Sequence, residues 1–119
     1  MKINVVFNKH IENYSEVLSS IESTLIETNT EFKTFELDSM ENWGDFTIII
    51  GGDGTLLRAA RFYSEWKIPV LGINLGRLGF LSQGVSDGIA SVIESIIKNE
   101  YLKYKTEYET GYYSVKKLN

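Results

Sequence analysis

Polar and apolar positions along the chain switch repeatedly between two periods. Ile3 to Phe7 is a short apolar run rich in β-branched residues, the pattern of a buried strand. Tyr14, Val17, Leu18, Ile21 and Leu25 then recur at helical spacing with serines and glutamates between them. They predict an amphipathic helix for which Asn13 is the candidate N-cap. Phe32 to Leu37 alternates loosely and predicts a second strand, and Asp38 to Asp45 a polar loop. Phe46 to Ile50 predicts a third strand, running straight into Gly51-Gly52-Asp53-Gly54-Thr55. Leu56, Leu57, Ala59, Ala60 and Tyr63 return to helical spacing. Pro69 to Ile73 predicts a fourth strand and is followed by a second glycine-rich stretch, Asn74 to Phe80. A third helix is expected from Ser86 as its cap, with Asp87 in the first turn and Ile89, Val92, Ile93, Ile96 and Ile97 as its apolar face.

That order predicts an α/β fold: a doubly wound, mostly parallel sheet with helices on both faces. Ligands bind such sheets beyond the carboxyl ends of the strands, where both glycine-rich stretches fall. After residue 100 the pattern changes. Leu102, Tyr104, Thr106 and Tyr108 alternate with Lys103, Lys105, Glu107 and Glu109, and Thr110-Gly111 signals a turn. Residues 101–119 therefore predict a C-terminal β-hairpin, either an antiparallel edge of the same sheet or the start of a truncated, all-β second domain.

Composition narrows the chemistry. In 119 residues there is no cysteine and one histidine, His10, which excludes disulfides, thiol nucleophiles and Cys-based zinc sites. No apolar run approaches the roughly 18 residues of a membrane span, and the N-terminus turns polar too soon for a signal peptide. The expectation is a cytoplasmic protein without a membrane partner. The net charge of −4 argues against nucleic acid. Residues 1–50 carry nine acids against three lysines, whereas all three arginines, Arg58, Arg61 and Arg77, fall between 51 and 80. Arginine suits forked contacts to phosphate.

The first glycine-rich stretch follows a buried strand and precedes a helix, so its backbone N–H groups face an anion-binding position. Glycine there offers a positive φ or close approach to a ligand, and Thr55 can cap the helix or touch a phosphate. Asp53 is the unusual member. A carboxylate beside phosphates repels them unless it binds a cation or takes a proton from an attacking hydroxyl. In the second stretch Asn74 offers a donor and an acceptor, Gly76 and Gly79 permit a tight path, and Leu78 and Phe80 offer a surface for a flat ring. Neither stretch fits the P-loop pattern or G-x-G-x-x-G.

Gly51-Gly52-Asp53-Gly54-Thr55 followed by Asn74-Leu75-Gly76-Arg77-Leu78-Gly79-Phe80-Leu81 resembles NAD kinase. The first motif is shared with phosphofructokinases and lipid kinases; the second, at this spacing, is more specific. The resemblance covers about residues 1–100 and marks them as an α/β nucleotide-binding kinase domain. It implies transfer of the γ-phosphoryl group of ATP, or of polyphosphate, to the adenosine ribose 2′-hydroxyl of NAD, with Mg²⁺ or another divalent cation. By resemblance Asp53 is the catalytic residue, accepting the proton of that hydroxyl. Gly51, Gly52, Gly54 and Thr55 would surround it. Leu57, Leu78 and Phe80 would line the adenosine pocket, Arg58 would lie near the nucleotides, and Asn74, Gly76 and Gly79 would frame the second loop. No residue is assigned to a metal. Relatives of this kind continue into a β-rich second domain and assemble as dimers or tetramers, so this chain is expected to be inactive by itself and to belong to a homo-oligomer. Two alternatives stand beside this one: another small-molecule or lipid kinase with the same first loop, and a non-catalytic nucleotide-binding module.

Overall fold

A computed structural model of the chain describes residues 1–75 and 83–97, with backbone alone for 83–87. The predicted hairpin at 101–119, and Gly76, Arg77, Leu78, Gly79, Phe80 and Leu81 of the second loop, lie outside the described residues.

The strands are β1 (Lys2–Phe7), β2 (Glu31–Glu36), β3 (Phe46–Gly51) and β4 (Val70–Asn74). They form one sheet in the order β2-β1-β3-β4, and every described pairing is parallel. Helix α1 (Tyr14–Glu27) joins β1 to β2, α2 (Asp53–Ser64) joins β3 to β4, and α3 (Gln83–Ile97) follows β4.

Side chains alternate across the sheet as strand geometry requires. Ile3 and Val5 of β1, Phe46, Ile48 and Ile50 of β3, and Leu71 and Ile73 of β4 form one core with Val17, Ile21 and Leu25 of α1 and Ile89, Ile93 and Ile96 of α3. Val6, Ile49 and Val70 point the other way, into a second core with Leu56, Ala59 and Tyr63 of α2. The predicted doubly wound α/β architecture is therefore present. The crossovers β1→β2 and β3→β4 run in opposite directions along the sheet, and the right-handed rule places their helices on opposite faces. The direction reverses between β1 and β3, which opens a crevice at their carboxyl ends.

The second face carries a buried polar pair. Asn4 and Thr47 stand opposite each other in the β1–β3 register, and Asn4 Nδ2 donates to Thr47 Oγ1 at 3.1 Å. Asn4 Oδ1 accepts from the Gly44 N–H at 2.8 Å. This ties the chain entering β3 to β1. Nearby, Tyr63 donates from its hydroxyl to the Glu41 carbonyl at 2.9 Å, fastening the same connection to α2.

Several expected boundaries move. β2 starts at Glu31 and stops at Glu36, because Leu37 leaves the strand to begin a 3-10 turn, Leu37–Ser39, at the edge of the segment expected as a plain loop. Glu36 caps that turn, accepting from the Asp38 N–H at 2.7 Å. Asn13 does precede α1, but in a left-handed conformation (φ 65°) and without a side-chain cap bond. Helix α3 starts at Gln83, so Ser86 lies in its first turn rather than at its cap. Its expected apolar face holds: Ile89, Ile93 and Ile96 are buried, with Val92 and Ile97 packed beside them.

Candidate functional site

The first glycine-rich stretch is tighter than its sequence suggests. Gly51 is the last residue of β3, Gly52 occupies the N-cap position and Asp53 is already the first helical residue. The chain thus turns from strand to helix through one extended residue, Gly52 (φ −89°, ψ −177°). None of Gly51, Gly52 and Gly54 adopts a left-handed φ, so the expected use of glycine for positive φ is not what this turn needs. Thr55 does not cap the helix either; it sits in the first turn, and the N-cap Gly52 brings no side chain to do so.

The three glycines instead have separate reasons. A Cβ on Gly51 would lie 2.5 Å from Thr55 Cγ2 and 2.6 Å from Thr55 Cβ, so only glycine lets the first turn of α2 fold back on the strand. A Cβ on Gly52 would just meet Ile11 Cδ1 at 4.0 Å, in the loop after β1. A Cβ on Gly54 would meet nothing within 4 Å among the described residues. Packing among the described residues explains Gly51 and gives no reason for Gly54. A bare backbone at an exposed helix N-terminus is what the close approach of an anionic ligand uses.

Two side-chain bonds close the site across the sheet. Asn74 ends β4, one residue beyond the predicted strand, and is 3% exposed. Its Nδ2 donates to Asp53 Oδ1 at 2.6 Å, so residues 21 positions apart meet at the carboxyl edge. This is a charge-assisted bond, about twice the strength of a neutral one, and it fixes the orientation of an exposed carboxylate. On the other flank Asn8, directly after β1, donates from Nδ2 to Thr55 Oγ1 at 3.1 Å. Sequence reasoning missed Asn8. Its one signal was position: a polar residue immediately after a buried strand whose partner strand carries the glycine motif.

The remaining expected site residues divide. Leu57 is 53% exposed on α2 and stays out of both cores. Arg58 is directed elsewhere: its guanidinium pairs with Asp38 at 2.9 Å. It lines an open groove of about 330 Å³ beside the 3-10 turn, to which Asp53 and Asn74 do not contribute. Among the described residues no three of His, Cys, Asp and Glu cluster as metal ligands, and no helix is long and apolar enough to cross a membrane.

The family described as ATP-NAD kinase N-terminal domain matches residues 2–101. A protein of Natranaerobius thermophilus named NAD kinase is 42% identical over 72 residues, 60% of this chain and 25% of its own length. One of Caldicellulosiruptor bescii with the same name is 35% identical over 102 residues, 85% of this chain and 39% of its own. A Methanothermobacter thermautotrophicus NAD kinase is 29% identical over 114 residues, covering 85% of this chain and 40% of the relative. The chain thus spans between a quarter and two fifths of the length of these relatives.

Proposed function

This chain belongs to the ATP-NAD kinase family, and on that premise we propose that it forms the catalytic-aspartate half of an enzyme that phosphorylates the adenosine ribose 2′-hydroxyl of NAD. The observation that carries the proposal is the Asn74–Asp53 hydrogen bond at the carboxyl edge of the sheet, on the β3–β4 side of the crevice. It presents an oriented carboxylate at the edge of the sheet where a nucleotide is expected to bind.

The step is a phosphoryl transfer. The 2′-oxygen forms a bond to the γ-phosphorus as the bond from that phosphorus to the β,γ-bridging oxygen breaks. ADP, or polyphosphate shortened by one unit, departs. The hydroxyl proton passes to Asp53. An ordinary aspartate is a weak base, so its contribution is to hold the hydroxyl in line and to take the proton late. Asn74 holds that carboxylate, and Gly54 leaves its backbone open to the nucleotide. The exposed Leu57 offers an apolar surface beside it. Gly76, Leu78, Gly79 and Phe80 are proposed to complete the pocket from the segment after β4.

A divalent cation would neutralise charge on the transferring phosphates. The described residues provide no dedicated cage for it, and Mg²⁺ commonly arrives on the donor's own phosphate oxygens. The same proposal includes a cytoplasmic location and assembly of the full-length enzyme as a homo-oligomer. It also holds that the 119 residues alone turn over poorly.

A chimera tests the reading, with residues 2–101 replacing the matching segment of the Caldicellulosiruptor bescii NAD kinase. NADP formation that disappears with Asp53→Asn supports it. A folded chimera that phosphorylates diacylglycerol or a sugar phosphate, but not NAD, would transfer the site to another kinase class. One that binds NAD and phosphorylates nothing would make it a binding module.

A further inference from the structure

We infer that Asn8 is a positioning residue for Asp53, acting through Thr55; the inference rests on the catalytic reading of Asp53 above. In the sheet β3 lies between β1 and β4. The turn that leaves β3 is pinned from both neighbours. Asn74 at the end of β4 holds Asp53 at 2.6 Å. Asn8 after β1 holds Thr55, two residues further along the same helical turn, at 3.1 Å.

The amide of Asn8 has one orientation that satisfies its surroundings. The His10 N–H can only donate, and it donates to Asn8 Oδ1 at 3.0 Å. That leaves Nδ2 to face Thr55, whose hydroxyl oxygen accepts. The Asn8 carbonyl is engaged as well, accepting from the Ile11 N–H at 3.1 Å. The loop after β1 is therefore a fixed base for this bond. Thr55 in turn has little freedom. It is 6% exposed and packs where a Cβ on Gly51 would lie.

First turns of helices fray because their N–H groups lack partners within the helix. In α2 that tendency matters, since Asp53 is the first helical residue and Gly52 before it provides no side-chain cap. The Asn8–Thr55 bond replaces the missing cap with a tie from a neighbouring strand. Loss of the tie frees the turn that carries Asp53, and displacement of a reacting group by about 1 Å costs on the order of 100-fold in rate.

The test reads the Asn74 side chain, which lies across β3 from Asn8 and reports on Asp53 whatever the substrate. In the 119-residue chain, Asn8→Ala and the isosteric Thr55→Val are each expected to shift the Asn74 side-chain amide signals and the Asp53 carboxyl carbon signal in NMR spectra. Exchange of those amide protons should quicken about fivefold, the loss of one ordinary hydrogen bond. Thr55→Ser, which keeps the oxygen, should restore the wild-type signals. The double variant should shift them no further than either single one. Unchanged Asn74 and Asp53 signals in folded Asn8→Ala and Thr55→Val chains would overturn the inference. If Asn8→Ala does not fold, Thr55→Val with Thr55→Ser decides alone. In the chimera, Asn8→Ala should lower kcat about tenfold with KM for NAD held. A raised KM with unchanged kcat would make Asn8 a binding residue and overturn the positioning role. A chimera inactive before any substitution counts against the kinase reading alone, and the Asn74 signals still judge Asn8.

Discussion

Asn74 and Asp53 meet at 2.6 Å although one ends β4 and the other begins α2. The pairing ties the last residue of β4 to the first turn of α2. It depends on Gly51, because only a residue without a Cβ lets the first turn of α2 fold so closely onto the end of β3. The Asn74 amide holds the Asp53 carboxylate in place without adding a second charge beside it.

Asp53→Asn is the direct test of the catalytic role. The new side chain retains an oxygen able to accept from Asn74, so the turn should keep its shape. Nucleotide binding, followed by amide shifts of the 119-residue chain with NAD, should remain largely intact. Turnover in the chimera should fall by roughly 10²–10⁴, the usual contribution of a positioned base. Full activity in the Asp53→Asn enzyme would remove Asp53 from the chemistry.

The glycines should separate fold from ligand. Gly51→Ala forces a contact of about 2.5 Å with Thr55, and overpacking of this kind costs about 1–3 kcal/mol. Gly54→Ala meets open space inside a helix, and alanine there should gain up to about 1 kcal/mol. Urea unfolding should therefore rank Gly54→Ala above wild type and Gly51→Ala below it. Nucleotide shifts should weaken in Gly54→Ala despite its added stability. A Gly54→Ala chain that binds NAD as wild type does would deny that backbone a role in the site.

The buried runs were legible because they are extreme. Val5, Ile48, Ile50 and Ile73 lie in short β-branched segments that have few other solutions, and the helices follow from Ile21 and Leu25 or Ile89 and Ile93 at helical spacing. The position of Asp53 at the carboxyl edge followed from strand–glycine–helix order alone. What escaped is what tertiary geometry decides. Thr55 looks like a cap, but the helix begins two residues earlier at Asp53. Leu37 continues an alternating run, yet the Glu36 carboxylate takes the Asp38 N–H and turns the chain. Asn8 reads as an ordinary loop residue until β1 is placed beside β3. Resemblance alone puts Arg58 near the nucleotides, and no local pattern announces Asp38 as its partner.

Tyr63 gives a prediction in pH. Burial pushes its hydroxyl pKa up to about 12 from the ordinary 10. The folded chain holds this proton more tightly than the unfolded one. The associated stability is fully present below pH 10 and is lost as pH rises from about 10 to about 12. Tyr63→Phe should cost about 1 kcal/mol at neutral pH for the missing hydrogen bond. It should also flatten the fall in stability over that alkaline range, measured by urea unfolding at successive pH values. An equally steep alkaline loss in the Tyr63→Phe variant would assign it to other tyrosines.

Arg58 and Asp38 set the last prediction. Their side chains are 56% and 64% exposed, so the 2.9 Å pair is a surface ion pair. Such pairs contribute roughly 0–1 kcal/mol, and Asp38→Ala should leave unfolding nearly unchanged. Its effect on ligands should be larger. A polyanionic donor must compete with Asp38 for the guanidinium before Arg58 can reach it. Removing Asp38 frees Arg58 and deletes a negative charge beside the groove, so Mg-ATP should bind the Asp38→Ala chain more tightly at low salt. The gain should shrink as ionic strength rises and screening sets in. Arg58→Ala should weaken Mg-ATP binding, and adding Asp38→Ala to it should bring no recovery beyond the charge effect seen with Asp38→Asn. Titrations of these variants against Mg-ATP at low and high salt measure this. Equal affinity in Asp38→Ala and wild type at low salt would show that Arg58 stays with the 3-10 turn and takes no part in holding the donor.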